Sequence, residues 1–159
     1  MGAPEFHTAC QERVYNEVRG YLDTLVEEHF DDAEHCDFYL EYGSTIVEIS
    51  IEPYQQDNAV IEIVAFCVYN VDPSIELTRE LLVFNAELPI GAFSMVNRDV
   101  FYSHAFLGRK FDPDQLISSL DVVAMVADEY DDRIVARYGG ERALDRLRSW
   151  SRRKKATVN

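Results

Sequence analysis

Between residues 36 and 71 the hydrophobic period drops from about 3.6 to 2, and this change bounds the fold more tightly than any other feature. In "STIVEISIEP", Val47, Ile49 and Ile51 alternate with Glu48, Ser50 and Glu52, which describes a strand with one packed and one wet face. After the turn "PYQQDN", the run "AVIEIVAFCVYNV" places Ile61, Ile63, Ala65 and Cys67 on one face and Val64, Phe66 and Val68 on the other. Its only charge is Glu62, so this strand is predicted to be central and covered on both faces for much of its length. Phe38 and Leu40 mark a shorter strand ahead of a turn at Gly43.

Helical spacing brackets these strands. Over residues 9–30, Val14, Val18, Leu22, Leu25 and either His29 or Phe30 form one stripe, with Glu12, Arg19, Asp23 and Glu27 on the wet side. A second helix is predicted from Asp72 and Pro73, the one capping free backbone N–H groups and the other suited to the first turn. Leu77, Leu81 and Phe84 or Leu88 face inward before Pro89 and Gly91 end it. Asp112 and Pro113 repeat that device for a third helix, with Leu116, Leu120, Val123, Ala127, Tyr130 and Ile134 inward and Gly139-Gly140 as the stop. "ERALDRLRSW" reads as a short further helix.

Between the second and third helices, "GAFSMV" and "VFYSHAFL" flank the polar "NRD" as a hairpin. On this reading Phe93, Met95 and Phe101 are candidate binding residues, with Tyr102 and Phe106 on the opposite face. The order α-β-β-β-α-β-β-α segregates strands from helices, so the expected class is α+β, an antiparallel sheet of about five strands flanked by helices. The domain is expected over 9–140, followed by a basic C-terminal helix and tail over 141–159.

Charge narrows the partners. Residues 141–159 hold seven Arg or Lys against Glu141 and Asp145, so the formal net charge of −14 puts about −19 on the preceding residues. An acidic body repels a phosphate backbone and favours a basic polypeptide. Nucleic acid or membrane contact is left to Arg152, Arg153, Lys154 and Lys155 in the tail. No run of eighteen apolar residues spans a membrane, no basic-then-apolar signal opens the chain, and "MGAPEF" reads as a processed or cloning leader. Cys10, Cys36 and Cys67 form no close pair, and Cys67 reads as a buried thiol; a cytoplasmic setting is expected.

Candidate chemistry is sparse. His29, Asp31, Asp32, Glu34, His35 and Asp37 have metal-ligating side chains but lack a fixed i,i+4 ligand pair, so an acidic solvated loop is the expectation and no metal or cofactor is assigned. Ser103 and His104 are adjacent on a strand and point to opposite faces; Ser94 and His104 offer a cross-hairpin alternative without an oxyanion elbow. Glu48 and Glu62 would face one another as a carboxylate dyad if the register allowed. Tyr39, Tyr42, Tyr54, Tyr69, Tyr102 and Phe106 suit protein contact or sheet covering better than catalysis.

The acidic chain resembles the YbjN-type proteins, which share the class I type III secretion chaperone fold. The resemblance runs over about residues 9–137 through "YLEYGSTIVEISIEP", "AVIEIVAFCVYNV", "SIELTRELLVFNAELPIGAFSM" and "FDPDQLISSLDVVAMVADEYDDRI". Its most specific part is Leu81-Leu82-Val83-Phe84-Asn85 running into Gly91-Ala92-Phe93. It implies a helix-flanked antiparallel sheet, commonly dimeric, that binds polypeptide and carries no catalytic residues. The expected function is therefore a noncatalytic chaperone-like or regulatory protein-binding module. The alternatives are a small-molecule-binding regulator, an enzyme with an unrecognised pocket, or contact with RNA or membrane through the tail.

Overall fold

The computed structural model describes residues 4–43 and 45–148. Helix α1 (Ala9–Leu25) is capped by Thr8, whose hydroxyl accepts the Gln11 N–H. It buries Val14, Tyr15, Val18 and Leu22 together with Gln11. Gln11 is a polar group in the core that sequence reading passed over. Its amide donates to the Ile51 carbonyl at 2.9 Å and accepts from the His7 N–H at 2.9 Å, which removes the cost of burying it.

The helix stops five residues short of expectation, because Val26 turns extended and the next residues join the sheet as β1 (Phe30–Asp32). Phe30 pairs with Tyr39 and is exposed on β1 instead of continuing the helical stripe. Strand pairing overrides helical spacing at a chain segment whose next residues are Glu27 and Glu28, which offer the core nothing. Strands β2 (Asp37–Tyr42), β3 (Thr45–Tyr54) and β4 (Asn58–Tyr69) then form an antiparallel meander.

Helix α2 (Ile75–Glu87) begins later than Asp72 and Pro73 implied. Ser74 is its cap, with the hydroxyl accepting the Leu77 N–H at 3.1 Å. Leu77, Leu81 and Phe84 are its buried stripe. Strands β5 (Ala92–Val96) and β6 (Asp99–Leu107) form the expected hairpin, turning through Asn97 at φ 57°. Helix α3 (Pro113–Tyr138) is capped by Asp112 and buries every inward residue named from its spacing. Beyond Gly140 the chain makes a short strand, β7 (Glu141–Arg142), paired with Val68 and Tyr69 of β4, before the helical segment 143–148. A helix from 141 onward is thus corrected at its start.

The sheet has seven strands where about five were expected, in the order β1-β2-β3-β4-β6-β5 with β7 beside β4. The two additional strands are three and two residues long, too short to announce a period in the sequence. The sheet is open, with β1 and β5 at its ends.

Register assigns the two faces. Phe38 lies opposite Ile49, Ile49 opposite Ile63, and Ile63 opposite His104; Val47, Ala65, Tyr102 and Phe93 form the neighbouring row. This face is covered by the helices: Tyr15 stacks on Phe38, and Phe84 and Tyr130 close on Phe93. The opposite face carries Tyr39, Glu48, Val64 and Ser103 in one row and Ile46, Phe66 and Phe101 in another. These residues are only partly buried, so the expectation that β4 is covered on both faces is corrected. An antiparallel meander tolerates this, because each strand can satisfy its backbone in the ladder while one face meets water.

Candidate polypeptide-binding surface

The open sheet face is built from alternate residues of β2, β3, β4 and β6. Its apolar part includes Ile46, Val60, Val64, Phe66 and Phe101, with Phe66 and Phe101 meeting edge-on at 5.4 Å between ring centres. Tyr69 extends it, its ring 6.2 Å from that of Phe66. Asp37, Glu41, Glu48, Glu52 and Glu62 fall on the same face by register. Strands β1 to β6 contain no lysine or arginine at all.

Two of these carboxylates, Asp37 and Glu48, are raised. Burial, and then the charges of Glu48, Glu52 and Asp32, push Asp37 up to about 6. Burial chiefly raises Glu48, with Glu62 adding to it and a hydrogen bond from the Tyr39 hydroxyl opposing it. Burial and the Glu48 carboxylate together raise Tyr39 strongly. Glu48 stands opposite Val64 and Glu62 opposite Ser50, so the two glutamates are diagonal neighbours. The face is an anionic surface beside aromatic rings, half-buried at Asp37, Glu48 and Glu62 and exposed at Glu41 and Glu52. It suits a cation carried on an apolar stem, as in Arg or Lys of a polypeptide.

One such contact exists within the chain. The Arg146 guanidinium lies 4.5 Å from the centre of the Tyr69 ring, and its charge opposes the effect of burial on that hydroxyl. The segment that carries it is held by β7 and by Arg142, which bonds Asp145 at 2.7 Å and Asp132 at 3.1 Å. Gly140 is required there: at φ +90°, a Cβ would lie 2.7 Å from Val68 and 2.8 Å from the Tyr69 carbonyl.

The hairpin residues named from sequence divide differently. Register puts Phe93 opposite Tyr102 and Met95 opposite Val100, while Phe101 lies opposite Ser94. Phe93 and Met95 therefore share the helix-covered face with Tyr102 and Phe106, and Phe101 belongs to the open one. A two-residue turn sets this register, and a shift of one residue exchanges every side chain between faces. Phe93 is 5% exposed and Tyr102 is fully buried, its hydroxyl donating to the Ile90 carbonyl. Both are core residues. Met95 and Phe106 pack partly buried at the margin of the core. Arg152, Arg153, Lys154 and Lys155 lie outside the described residues, as does Trp150.

The structure also separates the catalytic candidates. His104 lies on the helix-covered face, while Ser94, Ser103, Glu48 and Glu62 lie on the open one, so no serine or glutamate of that set reaches it. In the acidic cluster, His29 hydrogen-bonds Asp23 at 2.8 Å and lies 2.6 Å from Asp31 without hydrogen-bond geometry, and Arg19 meets Asp31 at 2.9 Å. His35 turns away to Asp32. Among the described residues no group of three or more His, Cys, Asp or Glu is placed to hold a metal ion, and none of their helices is long and apolar enough to cross a membrane. Cys10, Cys36 and Cys67 are free thiols.

A second surface was not found by sequence reading. Leu82 and Val83 of α2 are 63% and 53% exposed, and Ile75, Ile90 and Val96 are exposed nearby along the helix and the β5 edge. Leu82 and Val83 are plainly apolar in the sequence, but only the buried stripe of Leu77, Leu81 and Phe84 leaves them facing outward.

Residues 11–146 match the family model described as T3SS (YopN, CesT) and YbjN peptide-binding chaperone 1. The chain belongs to this family. The crystal structure of YbjN from E. coli is similar over 75% of this chain and 92% of YbjN, with a TM-score of 0.54 at 15% identity, a likeness of fold. No curated protein sequence is a significant match. As a member of the family, the chain is a chaperone-like, noncatalytic protein-binding module.

Proposed function

We propose that the chain holds an extended basic polypeptide against its open sheet face, as a chaperone-like or regulatory module. The observation that carries this reading is the joining of Val64, Phe66 and Phe101 with Glu48, Glu52 and Glu62 on one uncovered face of strands without a cation. Apolar area supplies affinity, and the carboxylates select for Arg and Lys. Phe101 is the hairpin residue placed to take part, with Met95 and Phe106 bordering the core and Phe93 and Tyr102 inside it. The three free thiols support a reducing, cytoplasmic setting. Contact with nucleic acid or membrane falls to Arg152, Arg153, Lys154 and Lys155, since the acidic body repels both.

A homodimer is part of the reading. A second copy covers Leu82, Val83 and Ile90 at the α2 edge, and leaves the acidic face free. The test is fluorescence anisotropy with a labelled peptide rich in Arg, Lys and aromatic residues. The double variant Phe66→Ser, Phe101→Ser is expected to weaken binding by about tenfold or more. Undiminished binding by that variant, with its folding intact, overturns the assignment of the face. For the dimer, Leu82→Glu with Val83→Glu is expected to give the monomer mass in sedimentation equilibrium.

A further inference from the structure

The rings at one end of the open face already hold an arginine, and it is the chain's own. Phe66 and Tyr69 lie nearly parallel, 25° apart with their centres separated by 6.2 Å, and Phe101 meets Phe66 edge-on. The three rings form a continuous platform, and the Arg146 guanidinium lies 4.5 Å from the centre of Tyr69. Burial chiefly raises the Tyr69 hydroxyl; the charge of Arg146 opposes that, while the carboxylates of Asp99 and Glu48 add to it. A ring face with carboxylates near it favours guanidinium over ammonium, because the planar group stacks and still directs its N–H bonds outward. The contact is also exchangeable. Arg146 is exposed, whereas its segment is seated by β7 and by the buried Ala143. The side chain can therefore swing off the ring without unseating the strand.

We propose that the Phe66 and Tyr69 platform is an arginine subsite of the open face, and that Arg146 fills it in cis until an arginine of the polypeptide partner takes its place. The proposal rests on the reading of the open face as a polypeptide site and adds two things to it. The cation the partner brings to these rings is arginine in preference to lysine, and the chain carries its own competitor for that position. In the free protein Arg146 covers the half-buried Tyr69 ring. In the complex it moves into water, and the partner's guanidinium stacks in its stead. A lysine cannot replace the stacking that Arg146 gives up, so the competitor sharpens the choice between the two cations.

Two labelled aromatic peptides that differ only in carrying Arg or Lys at every cationic position test this by fluorescence anisotropy against the full chain. The parent is expected to bind the Arg peptide about fivefold more tightly than the Lys peptide. Tyr69→Leu is expected to erase that preference. Arg146→Gln empties the subsite and is expected to tighten the Arg peptide by about threefold. Arg148→Gln removes the same charge from the same segment and is expected to stay near the parent. Equal affinity of the parent for the two peptides overturns the proposal, as does tightening by Arg148→Gln as large as that by Arg146→Gln. Nuclear magnetic resonance of the arginine Nε–Hε groups and the Val64 methyls separates failure of the subsite from failure of the face. The expected result is that the Arg peptide moves the Arg146 signal toward that of a solvated arginine and shifts Val64 as well. If Val64 moves and Arg146 does not, the face binds polypeptide and the subsite fails. If neither moves, the reading of the face fails and the subsite with it.

Discussion

The two faces of this sheet are made by the same strands and differ in almost everything else. The covered face is a continuous apolar layer from Phe38 through Ile49, Ile63 and Tyr102, sealed by three helices. The open face mixes aromatic rings with carboxylates held close enough to raise one another's proton affinity. A protein that needed only stability would dilute that charge with lysine or move it apart. Keeping six strands free of cations beside half-buried aromatics costs stability, and the cost is intelligible if the surface is completed by something basic.

The largest effect that sharpens this contrast is in core packing. Phe84→Ala empties a site shared with Phe93, Tyr130 and the Arg133 guanidinium, and is expected to cost about 3–5 kcal/mol in urea unfolding. Phe66→Ser on the open face is expected to cost about 1 kcal/mol or less. Equal losses would break the distinction between the faces.

Next in size is the clamp between α2 and β5. The Asn85 side chain accepts the Phe93 N–H at 2.6 Å and donates to the Phe93 carbonyl at 3.0 Å. Asn85→Ala leaves both backbone groups without that partner and is expected to cost about 1–3 kcal/mol by the same measurement. Smaller, and opposite in sign, is Glu48→Gln. It removes a raised carboxylate beside Glu62 and is expected to stabilise the chain by about 0.5 kcal/mol at neutral pH while weakening basic-peptide binding.

The smallest is a pH effect. Asp37 and Asp131 are each raised to about 6, chiefly by burial. A carboxyl that holds its proton more tightly when folded stabilises the fold below its unfolded value, and that contribution is lost as pH rises through about 6. Asp32 and Asp145 are lowered by hydrogen bonds to His35 and Arg142, so their contribution runs the other way and is lost on acidification. Asp37→Asn is expected to flatten the decline of unfolding midpoint between about pH 4 and 6; an unchanged slope would mean that its carboxyl is not desolvated on this face.

Much of the architecture was legible because burial writes a period into the chain. Val47, Ile49 and Ile51 announce β3, and the inward stripe of α3 matches residue for residue. The motif running from Leu81 to Phe93 has a physical basis, since Asn85 bonds the β5 backbone. Gly91 also avoids a clash, because a Cβ there would lie 2.8 Å from the Tyr102 hydroxyl. What was not legible depends on register or on distant partners. The face of Phe101 follows from a two-residue turn, the end of α1 from pairing with β2, and the open side of β4 from where the helices pack. Val64 and Phe66 look the same in sequence whether a helix covers them or not.

The most direct test of the central claim uses methyl groups as reporters on both faces. The full chain would be methyl-labelled and titrated with a basic aromatic peptide, following its spectrum by nuclear magnetic resonance. The expected result is movement of the Ile46, Val60 and Val64 methyls on the open face, with those of Val47, Ile49 and Ile63 unmoved. Shifts confined to Leu82, Val83 and Ile90 on the α2 edge would contradict the account and move the binding surface to the other side of the molecule.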